Sequence, residues 1–197
     1  MTESFPATWT ARILTAPPFI APARQFVYPL YVPGEEDSMA RGALLLDIKP
    51  GPSEGKAAPN FLATCALGFR DPSLPTGIHP CPRLDDLLAI AGGYAYLIDT
   101  QQPTRCLHLP LRPVTAVLLA PDEGLILLAG FHHVLALDAN GIRWQTARLS
   151  WEGITLTAVR DGQLHGLGWN MHTDRELPFT VDLATGAHTG GGYGTKE

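Results

Sequence analysis

Proline and glycine recur so often along this chain, 18 and 20 residues spread over 197, that few windows could hold an unbroken helix of ten or more residues. Between these breaks lie short apolar segments rich in Leu, Val, Ile and aromatic residues, bounded by turn signals, which is the strand pattern. They are GALLLDIKP, FLATCALGF, YAYLIDT, TAVLLAPDEG, LILLAGF, HVLALDANG, IRWQTARL, ITLTAVRDG, LHGLGW and FTVDLATG. An all-β chain is expected. Leu84, Leu87, Leu88 and Ala91 share helical spacing, but the run LLAIAGG reads better as a strand preceded by a turn. Asn140-Gly141 and Asp161-Gly162 are tight-hairpin dipeptides, and PDEG at 121 to 124 is a third turn signal. Asn140 and Gly141 are expected at the tip of a hairpin joining HVLALD to IRWQTARL, with Ile142 and Trp144 on one buried face.

Residues 1–83 form a less regular, Pro/Gly-rich part. The loop from Lys49 to Asn60 is its best candidate for mobility, and DPSLPTGIHPCP (71 to 82) is a second turn-rich connection. From residue 84 to 197 a repeat emerges. GGYAYLIDTQQPTRCLHL, GFHHVLALDANGIRWQTARL and GWNMHTDRELPFTVDLATGAHTG share an order: a glycine, an alternating strand ending in Asp, a polar turn and an outgoing strand. Asp99, Asp138 and Asp182 are 39 and 44 positions apart, and Gly93, Gly130 and Gly168 are 37 and 38 apart, close to the length of a four-stranded propeller blade.

LALDANGIRW and FTVDLATG resemble the end of a blade in pyrroloquinoline-quinone-type propeller repeats, and residues 84–194 as a whole resemble that type or the WD type of blade. Cys106 and Thr189 stand near the places that correspond to Trp144. The resemblance implies a small or incomplete propeller of antiparallel hairpins. It does not imply a quinone, and no cofactor is expected. A β-sandwich is the alternative architecture.

Hydrophobic residues make up 45% of the chain and charged residues 17%, which excludes disorder and implies one packed β-rich domain over 1–197. With a net charge of -5, a pI near 5.8 and no Lys/Arg cluster, nucleic acid and anionic membranes are not expected partners. The N-terminal stretch lacks the pattern of an export signal, and the apolar runs are too short to span a bilayer. A cytoplasmic protein of bacterial style is expected, with its three cysteines reduced.

His79 with Cys81, and Cys106 with His108, each place two soft donors on one side of an extended chain. The spacing is unfavourable for structural zinc, and no metal is expected. Asp85-Asp86 and Glu35-Glu36-Asp37 read as solvated turns, PGPSEGKAA fails as a phosphate loop, and TGGGYGTKE reads as a frayed tail. No hydrolase motif occurs. Trp144 is assigned to the core, and Trp151, Trp169 and Tyr193 are the candidates for an interface. These readings favour a binding or protein-interaction module, with a protein partner or a homo-oligomer. Two alternatives stay open. One is a hydrolase-like enzyme assembled from dispersed residues such as His79, His108, His132, His165 and His172; the other is a structural subunit that pairs through sheet edges.

Overall fold

In a computed structural model that describes residues 4–35, 38–53 and 56–194, the apolar segments between the Pro/Gly breaks pair into sheets. Among the described residues these are four four-stranded sheets and one small two-stranded sheet. The helical pieces among them are short 3-10 turns at Ser38–Arg41 and Pro121–Glu123. The chain divides into two compact units, Phe5–Pro113 and the residues from Val114 onward together with Ser4.

The N-terminal unit holds β1 (Thr10–Leu14), β2 (Arg24–Tyr28), β3 (Ala43–Lys49), β4 (Pro52–Ser53), β5 (Lys56–Ala57) and β6 (Phe61–Ala66). The first sheet runs β1-β3-β6-β2, with β2 parallel to β6 and the other pairs antiparallel. β4 and β5 form the small two-stranded sheet. The mobility expected between Lys49 and Asn60 falls partly on Glu54 and Gly55, which lie outside the described residues. The second sheet is an antiparallel meander of β7 (Gly77–Pro80), β8 (Asp86–Ala91), β9 (Tyr94–Asp99) and β10 (Cys106–His108). Leu46, Ile48, Phe61, Leu87, Tyr96 and Ile98 belong to one core. β3 alternates, burying Leu44, Leu46 and Ile48, whereas every residue of β8 is buried, which accounts for its unbroken apolar run.

The C-terminal unit repeats the meander twice. β11 (Ala116–Ala120), β12 (Leu125–Ala129), β13 (Val134–Asp138) and β14 (Gly141–Gln145) form one sheet. β15 (Ile154–Arg160), β16 (Gln163–Asn170), β17 (Arg175–Asp182) and β18 (His188–Gly190) form the next. Leu127, Val134, Trp144, Leu149, Leu164 and Phe179 share their core. The fold is all-β, and its four-stranded sheets resemble propeller blades. A sandwich exchanges strands between two facing sheets, and the three consecutive meanders do not.

The repeated aspartates close the last hairpin of three sheets. Asp99 Oδ1 accepts from the backbone N–H of Gln101 and Gln102, Asp138 Oδ1 from that of Asn140, and Asp182 Oδ1 from that of Thr185. Each ends the third strand and bonds the turn to the fourth, the Asx-turn chemistry that makes Asp recur there. The glycine spacing is less telling. Gly93 and Gly130 precede a third strand, but Gly168 lies inside β16, and the turn at 171–174 holds the corresponding place.

The β13–β14 hairpin forms, with a different tip. Asp138 pairs with Gly141, so Ala139 and Asn140 are the central residues and Gly141, at φ 109°, leads the outgoing strand. Asp161 and Gly162, both at positive φ, do form the two-residue tip between Arg160 and Gln163. The register of β14 also shifts, since Ala136 faces Trp144 while Leu137 faces Ile142. This bulge separates two residues that alternation would align. Trp144 is buried at 8% exposure and Ile142 is 41% exposed, so the expected common face is corrected.

Candidate functional site

Of the two His/Cys pairs, His79 lies in β7 with Cys81 just after its end, and Cys106 and His108 lie in β10, the opposite outer strand of the second sheet. His79 in β7 faces Leu88, while Cys106 and His108 in β10 face Ile98 and Tyr96. With β8 and β9 between them, and strands about 4.8 Å apart, the pairs are separated by roughly 14 Å. Burial pushes the Cys106 thiol up to about 12 and raises those of Cys65 and Cys81 as well. Among the described residues no group of three or more His, Cys, Asp or Glu is placed to hold a metal ion. The His108 ring stacks on Tyr96 at 4.7 Å and lies 5.0 Å from that of Tyr94. Both its nitrogens are buried with no hydrogen-bond partner among the described residues. Desolvation, helped by the Arg112 charge and opposed by Glu35, pushes its pKa down to about 4.

This unit also holds a buried carboxylate. Glu35 is only 7% exposed. Its Oε1 accepts from Arg112 Nη1 and from the Tyr94 hydroxyl at 3.0 Å, and its Oε2 accepts from Arg41 Nη2 at 3.5 Å. Both guanidinium groups lie over the Tyr94 ring, at 5.4 and 5.8 Å. The expectation that Glu35 belongs to a solvated turn is therefore corrected; Glu36 and Asp37 lie outside the described residues. Asp86, the other acidic residue read as solvated, is buried beside Arg83 and Asp99, and desolvation pushes it up to about 6. No local signal marks Glu35, because Tyr94 and Arg112 follow it by 59 and 77 residues. An open surface cavity of about 590 Å³ beside this cluster is lined by Arg41, Leu67, Phe69, Arg70, Leu74 and Thr76, among others.

In the C-terminal unit two of the three predicted aromatic residues come together. The tail after β18 folds back, with Gly192 N–H and Tyr193 N–H both donating to Leu149 O at 2.7 and 3.2 Å. A Cβ on Gly192 would lie 2.2 Å from Trp169 O, so the glycines permit a backbone approach no larger residue allows. The frayed-tail reading is corrected for residues 189–194; residues 195–197 lie outside the described residues. Tyr193 meets Trp151 with ring centroids 4.8 Å apart at 61°. The Arg148 guanidinium is 5.0 Å from the Trp151 ring and 4.6 Å from that of Tyr193. Its Nε donates to Ser150 O at 3.0 Å and its Nη2 to Trp151 O at 2.9 Å. His172 stands edge-on to Trp151 at 5.7 Å. Trp169 is joined to Trp151 through the backbone, but its indole turns to Asp174 Oδ1 at 3.0 Å.

Electrostatically this cluster differs from the one around Glu35. Arg148 has no carboxylate partner among the described residues, and it is half-buried against a Tyr193 that stays 40% exposed. The Trp151 Nε1–H is buried without an acceptor among the described residues. Arg148 is the member that sequence reasoning missed, because nothing local distinguishes it from a solvated arginine. Of the remaining histidines, His132 lies in the turn before β13, with Nδ1 buried and unpartnered, and His165 Nε2 accepts from Arg160 within the fourth sheet.

No protein-family model matches the sequence, and no curated protein matches it. Solved structures similar to the fold include two propeller-type domains of low identity. One is BBS1N, solved in complex with ARL6DN, at 13% identity and a TM-score of 0.38, covering 78% of this chain and 51% of that one. The other is the AfRom2 CNH domain, at 7% identity and a TM-score of 0.32, covering 66% and 54%. The chain spans about half the length of each. Among the described residues no helix is long and apolar enough to cross a membrane.

Proposed function

We propose that the chain is a protein-interaction module and that Arg148, Trp151 and Tyr193 form its binding face, with a carboxylate-bearing segment of a partner protein as the ligand. The observation that carries this reading is the Arg148 guanidinium seated on two aromatic rings with no carboxylate partner among the described residues. Trp, Tyr and Arg are the residues that concentrate binding energy at protein interfaces. A guanidinium already shielded by ring faces and held by two carbonyls loses little freedom when it accepts a carboxylate. The blades serve as a rigid frame, in keeping with pyrroloquinoline-quinone-type or WD-type repeats, and no catalytic step is assigned.

Selection of random peptides on the folded protein tests the proposal. Enriched sequences should carry Asp, Glu or a terminal carboxylate beside an apolar residue. The enrichment should disappear with Arg148→Met. Selection of basic or uncharged sequences, or the same acidic sequences on the variant, would contradict it.

A further inference from the structure

Sheet edges are pairing hazards that proteins blunt with short strands, bulges, charges or prolines. Seven of the eight edge strands of the four-stranded sheets carry such a device. β10 and β18 have three residues each, and β7 ends on Pro80. β14 and β15 carry register shifts together with Arg143 and Arg160. β1 holds the ion pair of Arg12 with Asp47 at 2.6 Å, and β11 is half-buried and packs beside β15.

β2 carries Arg24 and is followed by Pro29, but it is the edge with exposed apolar residues on both sides of it. It pairs with β6 on one side, and no strand among the described residues covers the other. Gln25 is exposed and Val27 is 47% exposed. The strand is flanked by Phe19 and Ile20 before it and by Leu30 and Tyr31 after it, which are 105%, 84%, 77% and 75% exposed. Across residues 15–34 the single charge is Arg24.

We infer that β2 is a self-association edge, and that a second copy of this chain adds its own β2 antiparallel about a two-fold axis at Phe26. This pattern suits that operator, under which a C2 interface must be self-complementary. Arg24 then faces Tyr28, so the charge never meets its own copy, and Gln25 faces Val27. The Phe19-Ile20 end of one copy lies alongside the Leu30-Tyr31 end of the other, withdrawing both exposed apolar flanks from water. A parallel pairing would set Arg24 against Arg24.

Sedimentation velocity from about 1 to 200 µM, where small specific interfaces associate, tests it through a charge swap. The natural chain should pass from monomer to dimer. Gln25→Lys with Val27→Lys opposes like charges at both cross-strand pairs and should weaken the dimer at least tenfold. Gln25→Lys with Val27→Glu sets opposite charges across the same pairs and should restore it. Both positions are exposed, and melting temperatures check that each variant folds. A monomer throughout the range for the natural chain, an unweakened double-lysine dimer, or a charge-matched variant as weak as the double-lysine one would overturn the assignment.

Discussion

Trp144 donates its indole Nε1–H to the backbone carbonyl of Leu183 at 2.9 Å, 39 residues further along the chain, and so fastens the outer strand of the third sheet to the turn leaving β17. The ring sits in the shared core of the third and fourth sheets. Trp144→Ala should cost about 3 to 5 kcal/mol, the range for losing a large aromatic from a core. Trp144→Phe retains a ring and should cost less, roughly 1 to 3 kcal/mol from the smaller volume and the unpaired carbonyl. Denaturant midpoints at unchanged m-value measure both; equal losses would show that packing contributes little.

Gly192 should tolerate no side chain. Its Cβ would meet the Trp169 carbonyl oxygen at 2.2 Å, a backbone atom that cannot swing aside, whereas a Cβ on Gly77 meets nothing within 4 Å. Gly192→Ala should destabilise the protein by about 2 kcal/mol or more, and Gly77→Ala should stay within roughly 0.5 kcal/mol of the natural chain. Thermal unfolding of the pair decides it, and a harmless Gly192→Ala would show that the tail does not dock.

How much of this was legible follows from the range of each interaction. The Asp hairpins were readable because Asp99, Asp138 and Asp182 act on amides two or three residues away. β8, β12 and β13 were readable because strands buried on both faces carry unbroken apolar runs. β1, β2 and β7 were not, since their half-exposed sequences TARIL, RQFVY and GIHP alternate weakly among prolines. The bulge that parts Ile142 from Trp144 leaves no mark that alternation can detect. At the candidate face, Trp151 and Tyr193 were marked by residue type alone. Arg148 became visible only once the chain had folded Tyr193 back onto it.

Between about pH 4 and 6 the contributions of His108 and Asp86 to stability should have opposite slopes. His108 stays neutral in the folded chain down to about 4, against 6.5 when unfolded. The unfolded state therefore binds more protons in that window, and stability is lost as pH falls through it. Asp86 keeps its proton up to about 6 in the folded chain, against 3.8 unfolded, so its stability is present at low pH and lost as pH rises to 6. Each shift corresponds to at most about 3 kcal/mol. His108→Phe should leave the Asp86 slope alone, with stability falling from pH 4 to 6, and should gain about 1 kcal/mol at pH 7 by removing unpaired nitrogens. Urea midpoints across this range check the sign, and an unchanged profile would contradict it.

Titration calorimetry with a selected acidic peptide tests the Arg148 face most directly. The natural chain should bind it, and Arg148→Met and Tyr193→Ala should each weaken binding at least tenfold, about 1.4 kcal/mol, while both variants melt within a few degrees of the parent. Replacing the peptide's Asp and Glu by Asn and Gln should cost as much. Unchanged affinity in both variants, or equal affinity for the carboxamide peptide, would contradict the assignment of this face as the binding site.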